Sequence, residues 1–304
     1  MGGSYPVNEA VPGALVVDLG ATKVAVYGPS GIRSATLPVL TRATDELAWL
    51  TAWLAEDLTP VISRIIIAAA PEIDGAGVVR RWPNRPGWLG LSLSAALAQD
   101  GITIDIVTDG AAAALGEAAE HGLRRMLYLG LGTGVATGWV VDGMPVPMRE
   151  PIDLAHATIA DRSAKCVCGR RGCLQAWASG RGILDRVAGL GLGELSWDDI
   201  TQRWLSPAFA RVRRGTIDAL AAGSRLGSEV FGCETVVIGG RLVTSLPGLV
   251  AEVHASLIGS IEIRKGRLGG DATLRGATDL ARALVAGVAT AAPLWPSTSL
   301  DSSV

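Results

Sequence analysis

The strongest constraint on the fold is a pattern that occurs twice: a β-rich run, a glycine turn and a second β-rich run. The first copy is ALVVDL (14–19), then Gly20-Ala21-Thr22-Lys23, then VAVY (24–27). The second copy lies in MLYLGLGTGVATGWVVDG (126–143). Two such runs about a tight glycine turn predict a β-hairpin. The repetition predicts two related half-folds in one chain.

The rest of the chain alternates between buried strands and helices, which is typical of an α/β protein. Strands are predicted at 64–71, 102–107 and 235–240, and helices at 44–58, 91–99, after Asp109, 175–190, 207–230, 246–257 and 276–292. We expect two domains, residues 1–107 with the helix 276–292, and residues 108–275. Duplicated α/β halves that each carry a strand–glycine–strand loop suggest the two-domain actin-like ATPase (ribonuclease H-like) fold.

One loop carries the residue pattern of a metal site. The segment HATIADRSAKCVCGRRGC (156–173) reads His-x9-Cys-x-Cys-x4-Cys and brings together His156, Cys166, Cys168 and Cys173. One imidazole and three thiolates form the ligand set of a closed structural zinc site, and glycines 169 and 172 supply turns around it. The alternative is a set of incidental cysteines in a turn. The pattern predicts a structural Zn²⁺ that pins the loop and takes no part in catalysis.

Both hairpin turns are candidate phosphate-binding loops. Glycine lets backbone N–H groups close on phosphate oxygens, the threonines add hydroxyl donors, and Asp18 is placed to orient Mg²⁺. Each turn alone could be only a tight hairpin turn, but together with a Gly-Gly pair they predict nucleotide binding. The predicted nucleotide-binding residues are Asp18, Gly20, Thr22, Lys23, Gly132, Thr133, Gly134, Gly239 and Gly240.

Asp109 is the candidate general base. It follows a predicted buried strand and precedes an alanine-rich helix, which is where α/β sheets place their chemistry. A carboxylate there could accept the proton of a substrate hydroxyl as that hydroxyl attacks the γ-phosphate. The alternative is a helix N-cap, a role that is compatible with catalysis.

These motifs together resemble the ROK family (repressors, open reading frames, kinases). The segment CVCGRRGCLQAWASG, with DLAH upstream, is similar to the family's zinc signature, and DLGATK and LGLGTGVATG resemble its two phosphate loops. VVIGGR resembles the Gly-Gly segment that lies against adenosine, and TDGAAAALGE resembles the segment with the catalytic aspartate. The resemblance runs from about Val16 to Ala292 and implies a sugar kinase that uses ATP and Mg²⁺.

The resemblance also assigns acceptor-binding positions, several of which carry altered residues. Asn84 and Trp88 match the family's Asn-x3-Trp loop, with a turn residue and a loop plug as their alternatives. Thr108 stands where Asn is usual, Asp153 and Gln175 stand where Glu is usual, and Glu72 follows Pro71 where Gly is usual. His156 could bind zinc through one nitrogen and a sugar hydroxyl through the other. The predicted acceptor-binding residues are Asn84, Thr108, Asp109, Asp153, His156 and Gln175.

The altered contacts predict an acceptor other than plain glucose, because unmatched buried polar groups cost about 1–3 kcal/mol each. We expect phosphorylation of the primary hydroxyl of a C7-cyclitol or of an amino sugar such as kanosamine. The alternatives are a glucokinase that acts on D-glucose and, with less support, a sugar-binding pseudokinase.

Composition and length restrict the remaining possibilities. A formal net charge of −2 gives no electrostatic footprint for nucleic acid or for an anionic membrane. About a dozen irregular residues precede the first strand, too few for the DNA-reading domain of a sugar-responsive repressor. No signal peptide is evident and the free thiols fit a reducing compartment, so a cytoplasmic protein is expected. A homodimer is the expected oligomeric state. His121 and His254 are expected at the surface, and Cys233 is expected to be buried.

Overall fold

The structure is a computed structural model that describes residues 10–146, 153–159, 161–191, 195–257, 259 and 261–287. The chain forms two compact units. The first contains the described residues up to Gly116 and those from Thr273 onwards, and the second contains Glu117–Ala272. The sequence places the first boundary before Thr108, whereas the compact units divide within the helix that follows, so Asp109 belongs to the first unit.

The first unit is built on a five-stranded mixed sheet in the order β3-β2-β1-β4-β7. The predicted hairpin forms its antiparallel part, and β4 and β7 pair in parallel with β1 and β4. Apart from Asp18 and Arg64, the central strands β1 and β4 consist of buried apolar residues, as is typical of parallel strands that are covered on both faces. The elements are β1 (Ala14–Leu19), β2 (Lys23–Gly28), β3 (Gly31–Thr36), α1 (Ala43–Ala55), β4 (Arg64–Ala69), β5 (Glu72–Ile73), β6 (Val79–Arg81), α2 (Leu93–Leu97), β7 (Thr103–Thr108) and α3 (Asp109–His121).

The second unit repeats the same order of strands. Its five-stranded sheet is β10-β9-β8-β11-β12, with the second hairpin antiparallel and β11 and β12 added in parallel. The predicted duplication of half-folds is therefore confirmed. The elements are β8 (Met126–Leu131), β9 (Val135–Val141), β10 (Met144–Val146), α4 (Leu174–Ala178), α5 (Gly180–Ala188), α6 (Trp197–Arg203), α7 (Ala210–Phe231), β11 (Thr235–Gly239), α8 (Arg241–Ser245), α9 (Leu249–Ser256) and β12 (Glu262–Lys265).

The predicted helices differ from the structure mainly at their ends, and one of them is divided. The single helix predicted over 175–190 is divided into α4 and α5 at Ser179, which has extended backbone angles and caps α5 by accepting a hydrogen bond from the Gly182 N–H at 3.0 Å. A serine that can cap competes with helix continuation. The last helix, α10 (Ala272–Val285), begins earlier than residue 276, and residues 288–292 of the prediction lie outside the described residues.

The expectation that His121 lies at the surface is wrong. Its side chain is 3% exposed, and its Nε2 lies 3.5 Å from Oε2 of Glu117, which is itself fully buried. Glu117 accepts hydrogen bonds from the N–H groups of Arg267 and Leu268, which fixes the loop after β12. Burial, followed by the charge of Arg267, lowers the pKa of His121. His254 is exposed and Cys233 is buried, as predicted.

In the part of the chain that the structure describes, no helix combines the length and the apolar composition that a membrane crossing requires.

Candidate functional site

The first phosphate loop, residues 20–23, is a tight turn that joins β1 to β2. The Gly20 N–H donates to the carbonyl of Lys23 at 2.9 Å, and the Leu37 N–H donates to the carbonyl of Thr22 at 3.0 Å. A Cβ added at Gly20 would lie 3.1 Å from the Lys23 carbonyl oxygen, which is tighter than a normal contact. The loop is therefore held by its own backbone and by Leu37, the residue that follows β3.

Asp18 precedes this loop at the carboxyl end of β1. Burial raises the pKa of its carboxyl group to about 6, while the charge of Lys23 acts in the opposite direction. A buried carboxylate beside a phosphate loop suits a hard cation that prefers oxygen ligands. The residues present therefore fit the predicted role of Asp18 in orienting Mg²⁺.

Asp109 and Thr108 lie at the same edge of the same sheet. Thr108 ends β7 and is in register with Ala69 at the end of β4, which in turn is paired with Leu19 at the end of β1. The hydroxyl of Thr108 accepts a hydrogen bond from the Ala111 N–H at 3.2 Å, so Thr108 caps α3. Oδ1 of Asp109 accepts from the Gly110 N–H at 2.7 Å, which orients the carboxylate.

The loop of residues 82–92 carries the predicted acceptor-binding residue Asn84 and is called the acceptor loop below. Its Arg85 forms a buried ion pair with Glu46 of α1 that the sequence did not predict. Arg85 and Glu46 are 7% and 5% exposed, and the guanidinium lies 2.6 Å from Oε2 of Glu46. Trp88 is buried and donates its Nε1 hydrogen to the same carboxylate, which agrees with its alternative role as a loop plug. Asn84 is exposed, next to Arg85. One signal was available: Glu46 shares the buried face of α1 with Leu50, four residues on.

The second phosphate loop, residues 132–134, joins β8 to β9. The Gly132 N–H donates to the Gly134 carbonyl at 3.0 Å, and the Gly180 N–H at the start of α5 donates to the Gly132 carbonyl at 2.8 Å. Gln175, which is predicted to bind the acceptor, uses its Oε1 to accept a hydrogen bond from the Val135 N–H at 3.2 Å. Its side chain therefore supports the loop directly.

The Gly239-Gly240 pair ends β11 and meets the end of β8. Gly240 has a φ of +88°, and a Cβ there would lie 2.5 Å from the carbonyl oxygen of Leu131. A Cβ at Gly239 would lie 2.8 Å from the ring of Tyr128. Only glycine fits these two positions, and their backbone lies beside the residue that leads into the second phosphate loop.

The four predicted metal ligands do come together. The ligand atoms of His156, Cys166, Cys168 and Cys173 all lie within 4.8 Å of one another. The Cys168 and Cys173 sulfurs are 3.8 Å apart, and Nδ1 of His156 is 3.5 Å from the Cys166 sulfur. Tetrahedral zinc with Zn–S bonds of about 2.3 Å would separate two sulfurs by about 3.8 Å, whereas a disulfide requires about 2.05 Å. The cluster therefore fits a zinc ion.

The loop around the cluster is ordered by glycine turns and by a carboxylate. Gly169 and Gly172, which are predicted to supply turns around the metal, have φ values of +87° and +77°, in the left-handed region that favours glycine. Asp153 accepts a hydrogen bond from the Ala155 N–H, and its Oδ2 lies 3.8 Å from Nε2 of His156. A carboxylate beside the far nitrogen of a metal-binding histidine orients the ring.

Two of the three cluster thiols release protons with difficulty: burial raises the pKa of Cys166 and of Cys173, whereas hydrogen bonds with Arg170 and with the neighbouring thiols outweigh burial and lower the pKa of Cys168. Burial, followed by the charge of Cys166, raises the pKa of Cys173 to about 12. A bound cation overcomes such a shift because thiolates, not thiols, bind metal. Cys173 also directly precedes α4, which carries Gln175 to the second phosphate loop. The first turn of α4 therefore connects the metal cluster to the second phosphate loop.

Comparison with known proteins agrees with the arrangement of these motifs. The model of the ROK family matches residues 41–283. The chain belongs to the ROK family. It is 33% identical to the kanosamine kinase of Amycolatopsis mediterranei over 91% of this chain and 98% of that protein. It is 29% identical to the glucokinase of Thermotoga maritima over 69% and 76% of the two chains.

Solved structures of this family share the fold. A ROK glucokinase from Streptomyces griseus, in complex with glucose and AMPPNP, has a TM-score of 0.70 at 24% identity, covering 88% of this chain and 99% of that one. The ROK hexokinase from Thermus thermophilus has a TM-score of 0.73 at 23% identity, covering 91% and 99%. The actin-like ATPase fold is thus confirmed, and the relatives support an ATP-dependent sugar kinase activity.

Zinc removal should destabilise this protein. We expect purified chain to contain one zinc per molecule, and chelation to lower its melting temperature, because metal binding and folding of the 156–173 loop are coupled. Cys168→Ser should have the same effect, whereas Cys233→Ser, outside the cluster, should leave zinc content unchanged. Metal analysis and thermal melts would measure both. Full stability without zinc would contradict this prediction.

Asp18 should destabilise the free protein at neutral pH. Since its folded pKa is about 6 and its ordinary value is 3.8, the folded chain binds more protons between those pH values. The free energy of unfolding therefore falls as pH rises through this window, by up to about 3 kcal/mol. Asp18→Asn should remove this penalty and so gain stability over the native chain as pH rises from 4 to 7, without Mg²⁺ or nucleotide.

Denaturant unfolding at several pH values would measure this difference. Asp100→Asn, at an exposed aspartate of the same unit, is the matched control and should show no such trend. A stability difference for Asp18→Asn that does not change with pH would show that burial of the charge is not its cause.

Proposed function

We propose that the protein transfers the γ-phosphoryl group of ATP to the primary hydroxyl of a hexose-like acceptor, and that it prefers an amino hexose such as kanosamine, or a C7-cyclitol, to glucose. The observation that carries the choice of acceptor is the 33% identity to a kanosamine kinase over nearly the full length of both chains. The altered acceptor positions Thr108, Asp153 and Gln175 support the same choice.

Asp109 is the proposed general base. Its carboxylate accepts the acceptor hydroxyl proton while the hydroxyl oxygen forms a bond to the γ-phosphorus. The bond from that phosphorus to the β,γ-bridging oxygen breaks, and ADP leaves. Mg²⁺, oriented by Asp18, would neutralise phosphate charge. The sheet supports this pairing of roles. Asp18 lies near the end of β1, Asp109 comes directly after the end of β7, and β4 lies between these two strands, so the strands are two spacings, about 10 Å, apart.

We propose acceptor contacts separately within each unit. In the first unit, Asn84 is exposed and Thr108 is partly buried, and both belong to the same unit as the proposed general base Asp109. In the second, the oxygen of Gln175 is engaged by the Val135 N–H, so its side-chain nitrogen is the group that we assign to the acceptor. An amide nitrogen donates a hydrogen bond, whereas the glutamate that is usual in the family accepts one. The substrate group that faces Gln175 must therefore accept a hydrogen bond rather than donate one. His156 and Asp153 complete the set.

D-glucose is the second candidate acceptor, and the similarity to the glucokinase of T. maritima supports it. A sugar-binding pseudokinase is the third. Two carboxylates argue against it: Asp18 is buried, and Asp109 is oriented by a hydrogen bond. Burial of a charged group lowers stability, and a protein without catalytic activity would gain nothing in return.

Replacement of Asp109 should abolish most of the activity. We expect Asp109→Asn to reduce kcat by about 10²- to 10⁴-fold, the range for a lost general base, while the fold and the affinity for MgATP remain. ADP release would measure kcat, and calorimetry the affinity. Asp105→Asn is the control: Asp105 lies on β7, which leads into Asp109, but it is paired with Arg64, so the variant should keep near-normal kcat. Near-full activity of Asp109→Asn would reduce Asp109 to a structural residue.

An acceptor panel should show a preference for amino hexoses or cyclitols. We expect kcat/KM for kanosamine or a C7-cyclitol to exceed that for glucose by about tenfold or more, because each polar mismatch changes preference by roughly that factor. The combined change Thr108→Asn, Asp153→Glu and Gln175→Glu should raise the use of glucose. A higher kcat/KM for glucose in the native chain would make the protein a glucokinase.

A further inference from the structure

We propose that Arg85 is a positioning residue whose buried guanidinium fixes the first phosphate loop and the acceptor loop in one arrangement, and so sets the affinity for ATP and for the acceptor together. This rests on the proposed function, which assigns residues 20–23 to the nucleotide and Asn84 to the acceptor. Arg85 itself contacts neither substrate; it acts through the backbone that does.

One guanidinium bridges three segments of the first unit. Its Nε donates to the carbonyl of Ala21 in the phosphate loop at 2.5 Å. Its two terminal nitrogens donate to the carbonyls of Leu37 and Pro38, each at 2.7 Å, and to the carboxylate of Glu46 at 2.6 Å. Because a guanidinium is a rigid planar fork, these acceptors are fixed relative to one another.

The contact with Ala21 determines which way the phosphate loop presents its donors. In a trans peptide the C=O and the N–H point in opposite directions. The Ala21 carbonyl faces Arg85, so the Thr22 N–H of the same peptide faces the other side of the loop. The Thr22 carbonyl accepts from the N–H of Leu37, a residue that Arg85 also contacts. The Lys23 N–H of that peptide therefore points away from Leu37, just as the Thr22 N–H points away from Arg85. Consecutive N–H groups on one side of a loop form an anion-binding concavity.

Glu46 has a separable role. Burial acts to raise its pKa, but hydrogen bonds from Trp88, the Leu40 N–H and Arg85 lower the pKa below its ordinary value. Glu46 is therefore a carboxylate at neutral pH that balances the buried charge of Arg85. Breaking a buried pair by removing one partner is strongly destabilising, so loss of stability alone cannot reveal the positioning role.

Arg85→Lys separates position from charge. Lysine keeps a cation beside Glu46, but a single ammonium cannot span the carbonyls of Ala21 and Leu37. We expect the Kd for MgATP and the KM for the acceptor both to rise by about 10- to 100-fold, since small displacements of binding groups have effects of this size. Calorimetry would give the Kd, and kinetics well below the melting temperature would give kcat and KM.

Arg64→Lys is the matched control. Arg64 forms a 2.5 Å ion pair with Asp105 in the same sheet, but it lies at the start of β4, whereas the phosphate loop follows the end of β1. It should lose comparable stability and keep Kd and KM within about twofold. An Arg85→Lys variant that binds MgATP as tightly as Arg64→Lys would overturn the proposal.

A second variant covers failure of the first to fold. Arg85→Gln with Glu46→Gln replaces the ion pair by neutral amides, leaves no unpaired charge, and still removes the guanidinium from Ala21. It should show the same rise in the Kd for MgATP, and an unchanged Kd would overturn the proposal. Failure of the native chain to phosphorylate any acceptor would refute the proposed function instead, because the Kd for MgATP tests Arg85 without turnover.

Discussion

Parallel pairing of β1, β4 and β7 is the constraint on which the chemistry of the first unit depends. Parallel strands end at the same edge of a sheet, so Asp18, the first phosphate loop and Asp109 meet at one edge although about ninety residues separate them along the chain. Hydrogen bonding along the strands fixes this register, and a slip of β1 by one residue would turn the side chain of Asp18 to the opposite face of the sheet.

Features with a local signature could be predicted from the sequence. The hairpins follow from β-rich runs about glycine turns, the metal cluster from the spacing of four ligands, and the position of Asp109 from a buried strand that leads into a helix. Each of these depends on residues that are close in sequence, or on strand pairing that apolar runs encode. The turns at Gly169 and Gly172 could also be predicted, since glycine adopts the positive φ values found there without strain.

Features that depend on long-range polar contacts could not be predicted. Arg85 meets Glu46 and Ala21 only after folding, and nothing in the segment NRPGW indicates that its arginine is buried. The same holds for His121, whose burial beside Glu117 depends on a loop about 150 residues away. Polar residues read one at a time suggest a surface, because most of them lie there. Only the tertiary structure shows which have partners inside.

The two sheets also suggest how such a protein arose. Both have the same order of strands, each with its glycine turn between the first two, which is what duplication and fusion of an ancestral half would leave. The copies have since diverged at the fifth strand. Where the first copy ends with Thr108 and Asp109, the second ends with Lys265 and a glycine. The first half therefore presents a carboxylate after its fifth strand, and the second presents the cysteine-rich segment that follows its hairpin, so two halves with one order of strands carry different chemical groups.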